Sequence, residues 1–197
     1  MTPSSSFELA QKIRSGNIKD VNIVMNRFYK KRLRRTIDEL SGIFPSRSVI
    51  LNKAFLAHKK QNYELSIPVF LAQADGICQE LSGHHLFSNS RKRPPIKRFI
   101  EKLTPDSHIA ALLEPLRQTM PISESTETRL DPLSLNRHGI LHGVDVNYAT
   151  ETNSFKAMSL LSYVSSVLSL ERSLDHPGKK QRDLSLRPRS KSCDGDP

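Results

Sequence analysis

No run of apolar residues in this chain approaches the roughly 20 needed to cross a bilayer, so neither a transmembrane helix nor a membrane partner is expected. The first residues, MTPSSSFELAQKI, lack the charged-then-apolar pattern of a secretory signal. The expectation is a protein that stays in the cytoplasm. Cysteine is scarce. Cys78 lies in an apolar helical pattern and Cys193 in a polar stretch, which argues against a structural disulfide. Period-two alternation is also missing, which argues against a sheet, and no internal repeat is visible. The zinc-protease pattern HExxH is absent as well.

What remains is helical periodicity almost throughout, so the expected fold is all-α, a compact helical bundle of one domain over residues 7–172. Residues 1–6 read as a short N-terminal tail, and Ser6 as the cap of a helix FELAQKIR that Gly16 stops. In the next helix Val21, Val24, Phe28, Ile37 and Leu40 share a face, and Gly42 and Pro45 end it. In RFYKKRLRR, Phe28 reads as core and Tyr29 as either core or surface. A third helix carries Ile50, Leu51, Ala54, Phe55 and His58. A fourth begins between Tyr63 and Pro68, with Pro68 confined to its first turn, and runs to Gly83. It is the most apolar of these and is expected to be central. Asp75 and Glu80 on it read as buried polar contacts. A loop over 83–95, a weaker helical pair, IKRFIEKL and SHIAALLEPLRQTM, and a polar connector PISESTETR follow. A long helix then starts in YATETNSF, with Thr150 as its cap and Glu151 favourable to its dipole. Residues 173–197, polar and basic, read as a disordered tail that cannot offset its ordering entropy.

Charge is uneven along the chain. Residues 1–60 hold 13 Lys and Arg against 4 Asp and Glu, whereas 131–175 hold 3 against 5. A basic N-terminal half attracts polyanions, of which nucleic acid is the usual one. The residues read as an RNA track are Lys30, Lys31, Arg34 and Arg35; a solvated helix face is the competing account.

The stretch with chemical content is LNRHGILHG, residues 135–143. Asp131 and Pro132 suit the start of a helix that Gly143 would end. At about 100° per residue, His138 and His142 project from one face, while Arg137 and His142 diverge by about 140°. Three accounts compete. The histidines are inert, hydrogen-bonded helix residues; or they ligate a metal, for which further ligands such as His84 and His85 would be needed; or they perform acid–base chemistry. Imidazole titrates near neutral pH and arginine stabilises a phosphate gaining charge, a pairing that suits RNA cleavage by the neighbouring 2′-hydroxyl.

Arg137, the polar His138 and His142 resemble the R-x4–6-H signature of the HEPN superfamily, and Asn136 and Gly143 resemble common forms of its flanks. The segments RSVILNKAFLAHKKQNYELSIPVFLAQADGI and YATETNSFKAMSLLSYV resemble the central and closing helices of HEPN-like bacterial proteins, so the likeness spans residues 47–170. It implies a helical bundle acting as a homodimer and a metal-independent endoribonuclease without cofactor, in a defence or toxin–antitoxin system where an inhibitor protein is a further partner. His142 would be the base or acid and Arg137 the phosphate holder, with His138 and Asn136 orienting the site. Glu151 and Asn153 would support them. Gly139 is a departure, mid-helix at a cost of about 1 kcal/mol relative to alanine: it either allows close approach between paired helices or is simply tolerated. The alternative function is a non-catalytic helical module that binds RNA or a protein.

Overall fold

The structure is a computed structural model, and it describes residues 3–87, 95–101, 108–117, 122 and 135–175. Helices α1 (Pro3–Arg14), α2 (Ile18–Ile43), α3 (Ser48–Lys59) and α4 (Tyr63–Ser82) are followed by α5 (Pro95–Glu101), α6 (His108–Arg117), α7 (Arg137–Leu141) and α8 (Glu151–Asp175). A 3₁₀ turn, Pro45–Arg47, joins α2 to α3. The fold is all-α, and no strand occurs among the described residues.

Helices α4 and α8 form the centre. Their contact is the most extensive in the molecule, and α3, α2 and α6 pack around them. Helix α8 is buried nearly all round: Phe155, Met158, Leu161, Val164 and Leu168 are at most 2 % exposed. Each such side chain contributes about 1.5–3 kcal/mol by leaving water. Phe55 of α3 meets Phe70 of α4 with ring centroids 4.9 Å apart, which pins two antiparallel helices together. Bonds from Asn26 to Thr152 and from Tyr29 to Ser159 advance together along α2 and α8, so those two helices run in the same direction. Helix α4 follows that direction too, since Ser66 and Ser154 meet near the starts of α4 and α8.

Several boundaries fall where local chemistry demands. Gly16 and Gly83 adopt φ of +74° and +75°, the left-handed caps expected of them, and Thr150 Oγ1 accepts from Asn153 N–H at the start of α8. Other expectations are corrected. Helix α1 begins at Pro3, whose fixed φ suits a first helical position, so Ser6 lies inside it rather than capping it. Gly42 stays helical; Phe44 N–H bonds to Leu40 C=O, and Pro45 turns the chain. On α2, Val24 is 37 % exposed and Phe28 only partly covered. Ile37 packs against the core and Leu40 is buried, as expected, while Tyr29 and Leu33 take the places expected of Val24 and Phe28. Ile50 of α3 is exposed. Helix α8 continues to Asp175, into the segment expected to be tail. Residues 88–94 of the basic loop, the connector apart from Ile122, and residues 176–197 lie outside the described residues.

Pro68 stands in the second turn of α4, not the first. Its missing N–H leaves the Glu64 carbonyl without a helical donor, and the Tyr148 hydroxyl donates to that oxygen at 3.0 Å. The segment between α7 and α8 is thereby strapped to the start of α4.

Candidate functional site

Helix α7 is a short helical corner and does not begin where Asp131 and Pro132 suggested. Those two residues lie outside the described residues, and Leu135 and Asn136 are not helical. Leu135 is buried, and the Asn136 side chain accepts from Gly139 N–H at 3.0 Å, so Asn136 is the cap. Gly143, at φ +70°, closes the other end, as expected of it. The chain then folds back, and Val144 and Asp145 N–H both donate to Gly139 C=O, at 2.8 and 3.0 Å. A Cβ on Gly139 would lie 3.2 Å from Asp145 Cβ. Its mid-helix glycine therefore accommodates this return within the same chain.

The corner presents three side chains in two directions. His138 and His142 share a face, with ring centroids 4.3 Å apart. His142 is exposed and His138 partly so, and neither imidazole has a hydrogen-bond or ion-pair partner among the described residues. Arg137 leads elsewhere. Its guanidinium carbon lies 4.9 Å from the centroid of Phe87, and its Nε is buried without a partner among the described residues. The structure thus brings His138 and His142 together and sends Arg137 to the aromatic ring. Asn136 is spent on the cap and positions the helix rather than an imidazole.

Phe87 is held in place from α4. Asp75 accepts from Phe87 N–H at 3.2 Å with one oxygen and lies 2.9 Å from His85 Nδ1 with the other. Glu80 takes two bonds from Arg47, whose guanidinium crosses Gly76 and also reaches Gln73. Asp75 is thus largely covered, with 20 % of its side chain exposed, whereas that of Glu80 is 44 % exposed. The buried polar contact read for both therefore suits Asp75 better; both carboxylates fasten neighbouring segments to α4. His84 and His85 are not gathered toward α7: His84 faces Phe99. No three His, Cys, Asp or Glu side chains cluster closely enough to hold a metal ion among the described residues.

A second histidine site was not legible as such in the sequence. His58 Nδ1 lies 2.8 Å from Ser154 Oγ, which lies 2.9 Å from Ser66 Oγ. All three residues are at most 5 % exposed, and the imidazole edge meets Phe155 with centroids 4.7 Å apart. Burial holds His58 below the usual imidazole value, outweighing Glu151, which raises it; Lys30 and Lys59 lower it further. Its Nδ1 is matched within the core and burial favours the neutral ring, so the imidazole serves packing rather than a substrate. The only advance signal was a histidine on an otherwise apolar helical face. Cys78 is likewise inert, since burial pushes its thiol up to about 11.

Lys30, Lys31, Arg34 and Arg35 are all exposed on α2. Lys30 pairs with Glu151 at 3.6 Å and Arg35 with Glu39 at 2.6 Å. Helix α7 packs on α4, whereas α2 packs on α1, α3 and α8. The basic residues and the α7 histidines are therefore separate features of the surface. Glu151 and Asn153 do not reach the histidines either: Asn153 donates to Tyr148 C=O, fastening the strap between α7 and α8. No protein-family model, curated protein or solved structure matches the chain.

Proposed function

We propose that this chain is a HEPN-like, metal-independent endoribonuclease that acts as a homodimer through the α7 corner. The observation that carries the reading is the His138–His142 pair: two neighbouring imidazoles, His142 exposed and His138 partly so, with no hydrogen-bond or ion-pair partner among the described residues. In the proposed reaction His142 removes the proton from an RNA 2′-hydroxyl, and the 2′-oxygen attacks the adjacent phosphorus. The bond to the 5′-oxygen breaks, that oxygen takes a proton, and a cyclic phosphate and a 5′-hydroxyl remain. Arg137, with its guanidinium carbon 4.9 Å from the Phe87 ring centroid, keeps its terminal Nη donors for a phosphate oxygen.

Arg137 and the histidine pair diverge within one copy, so the reading requires Arg137 of one protomer and His142 of another to face one phosphate. Exposed Leu141, Val144 and Val146 border the pair, at 39 %, 57 % and 75 % exposure, and supply apolar surface for that contact. A cytoplasmic defence or toxin–antitoxin role, with an inhibitor protein as partner, belongs to the same proposal. One observation favours the alternative of a non-catalytic RNA- or protein-binding module: Arg137 Nε is buried, as in an arginine that serves packing.

The test is incubation of single-stranded and structured RNAs with the protein in excess chelator, beside His142→Ala and Arg137→Ala. Acid–base catalysis by one side chain contributes about 10²–10⁴-fold. The proposal expects cyclic phosphate ends from the wild type and losses of that order in both variants. Equal cleavage by all three, or none by any, rejects it.

A further inference from the structure

The outward face of α2 carries a second, independent feature. Arg27, Lys31 and Arg34 are exposed and, at about 100° per residue, fall within about 60° of arc. The residues that α2 buries, Thr36 and Leu40, lie on the opposite side of the helix. The three cations have no acidic partner among the described residues, unlike their neighbours Lys30 and Arg35, which are paired with Glu151 and Glu39.

We infer that Arg27, Lys31 and Arg34 form a nucleic-acid backbone-binding ridge, separate from the α7 histidines. From Arg27 to Arg34 the helix rises about 10 Å at 1.5 Å per residue. That matches about three phosphates along one strand of a duplex, at about 3.4 Å of axial rise each. Two of the three are arginines, which offer forked donors to phosphate oxygens. Insertion into a bilayer needs the apolar side of an amphipathic helix, and here that side is buried against α3 and α8. Exposed Ile23 and Val24 lie one turn before the ridge, so anionic vesicles are the competing ligand to be measured. The inference does not depend on the nuclease reading.

The experiment uses the full chain and a fluorescent duplex DNA, which has no 2′-hydroxyl and so survives the proposed chemistry. Affinity is measured by anisotropy across a salt series for the wild type and Arg27→Gln/Lys31→Gln/Arg34→Gln. A control, Lys53→Gln/Lys59→Gln/Lys60→Gln, removes the same charge from the end of α3. Each phosphate contact contributes about 0.9 to the log–log salt slope on duplex DNA. The ridge variant is expected to flatten the slope by about 3, with at least a tenfold loss of affinity at low salt, for three lost contacts. The control should keep the wild-type slope. A ridge variant indistinguishable from the control overturns the inference. So does ridge-dependent binding to phosphatidylserine vesicles without binding to DNA. A protein that binds through the ridge yet cuts no RNA would sink the nuclease proposal and leave this one standing.

Discussion

His58 lies in the last turn of α3 and His142 just beyond the last turn of α7, and the two imidazoles meet opposite surroundings. His58 is enclosed by Phe155, Tyr63 and two serine hydroxyls contributed by α4 and α8. His142 faces solvent beside a second imidazole. One ring has its nitrogen matched inside the protein, where low polarity makes an unmatched group costly. The other pays no such penalty, because water satisfies it until something replaces the water. Burial with partners assigns a histidine to the fold; exposure beside another titratable group leaves it free for chemistry.

The largest effect should come from breaking the buried member. His58→Ala leaves a cavity beside Phe155 and Tyr63 and takes a partner from the Ser154 hydroxyl. A loss of about 3 kcal/mol is expected, read as a lower urea midpoint with an unchanged slope. A loss below about 1 kcal/mol would mean that the site collapses or hydrates easily and is not a core contact.

Acid should act through the same residue. The folded value of His58 is lowered, mainly by burial, from an ordinary value near 6.5. The unfolded chain therefore binds the proton more readily than the folded one. This contribution to stability is complete above about pH 6.5 and is lost as pH falls toward the folded value, by up to about 1.4 kcal/mol per pH unit for one proton. Urea midpoints measured on either side of about pH 6.5 should fall on the acid side in the wild type and fall less in His58→Ala. Parallel curves would assign the acid sensitivity to other groups.

A smaller effect should sharpen the comparison through the strap between the two regions. Tyr148→Phe removes the donor to the Glu64 carbonyl that Pro68 leaves open. About 1 kcal/mol should be lost, with faster amide exchange over residues 143–150. Unchanged stability would show that water replaces the hydroxyl at no cost.

The pattern of what could be read in advance follows the same division between local and distant causes. Gly16, Gly83 and Gly143 stop their helices because a left-handed turn is a property of a few neighbouring atoms. Thr150 caps α8 for the same reason. The apolar rows of α3 and α4 were visible because burial repeats every 3.6 residues. Tyr29 displaced Phe28 from the core because the two differ by about 100° on one helix, and only the hydroxyl partner on Ser159, 130 residues away, decides between them. Pro68 sits deeper in α4 than its chemistry alone allows because Tyr148 supplies a donor from far along the chain. The His58 network needs Ser66 and Ser154, which no local pattern brings together. At α7 the His138–His142 adjacency was legible from a spacing of four. The divergence of Arg137 was legible too, but its partner Phe87 was not.

The most direct test of the division between the two histidine sites joins stability and activity in a single variant. His142→Ala should unfold in urea within about 0.5 kcal/mol of the wild type, as an exposed substitution does, and should lose metal-independent RNA cleavage. A variant that cuts RNA as the wild type does, or one destabilised as severely as His58→Ala, would place His142 with the structural histidines and contradict the account.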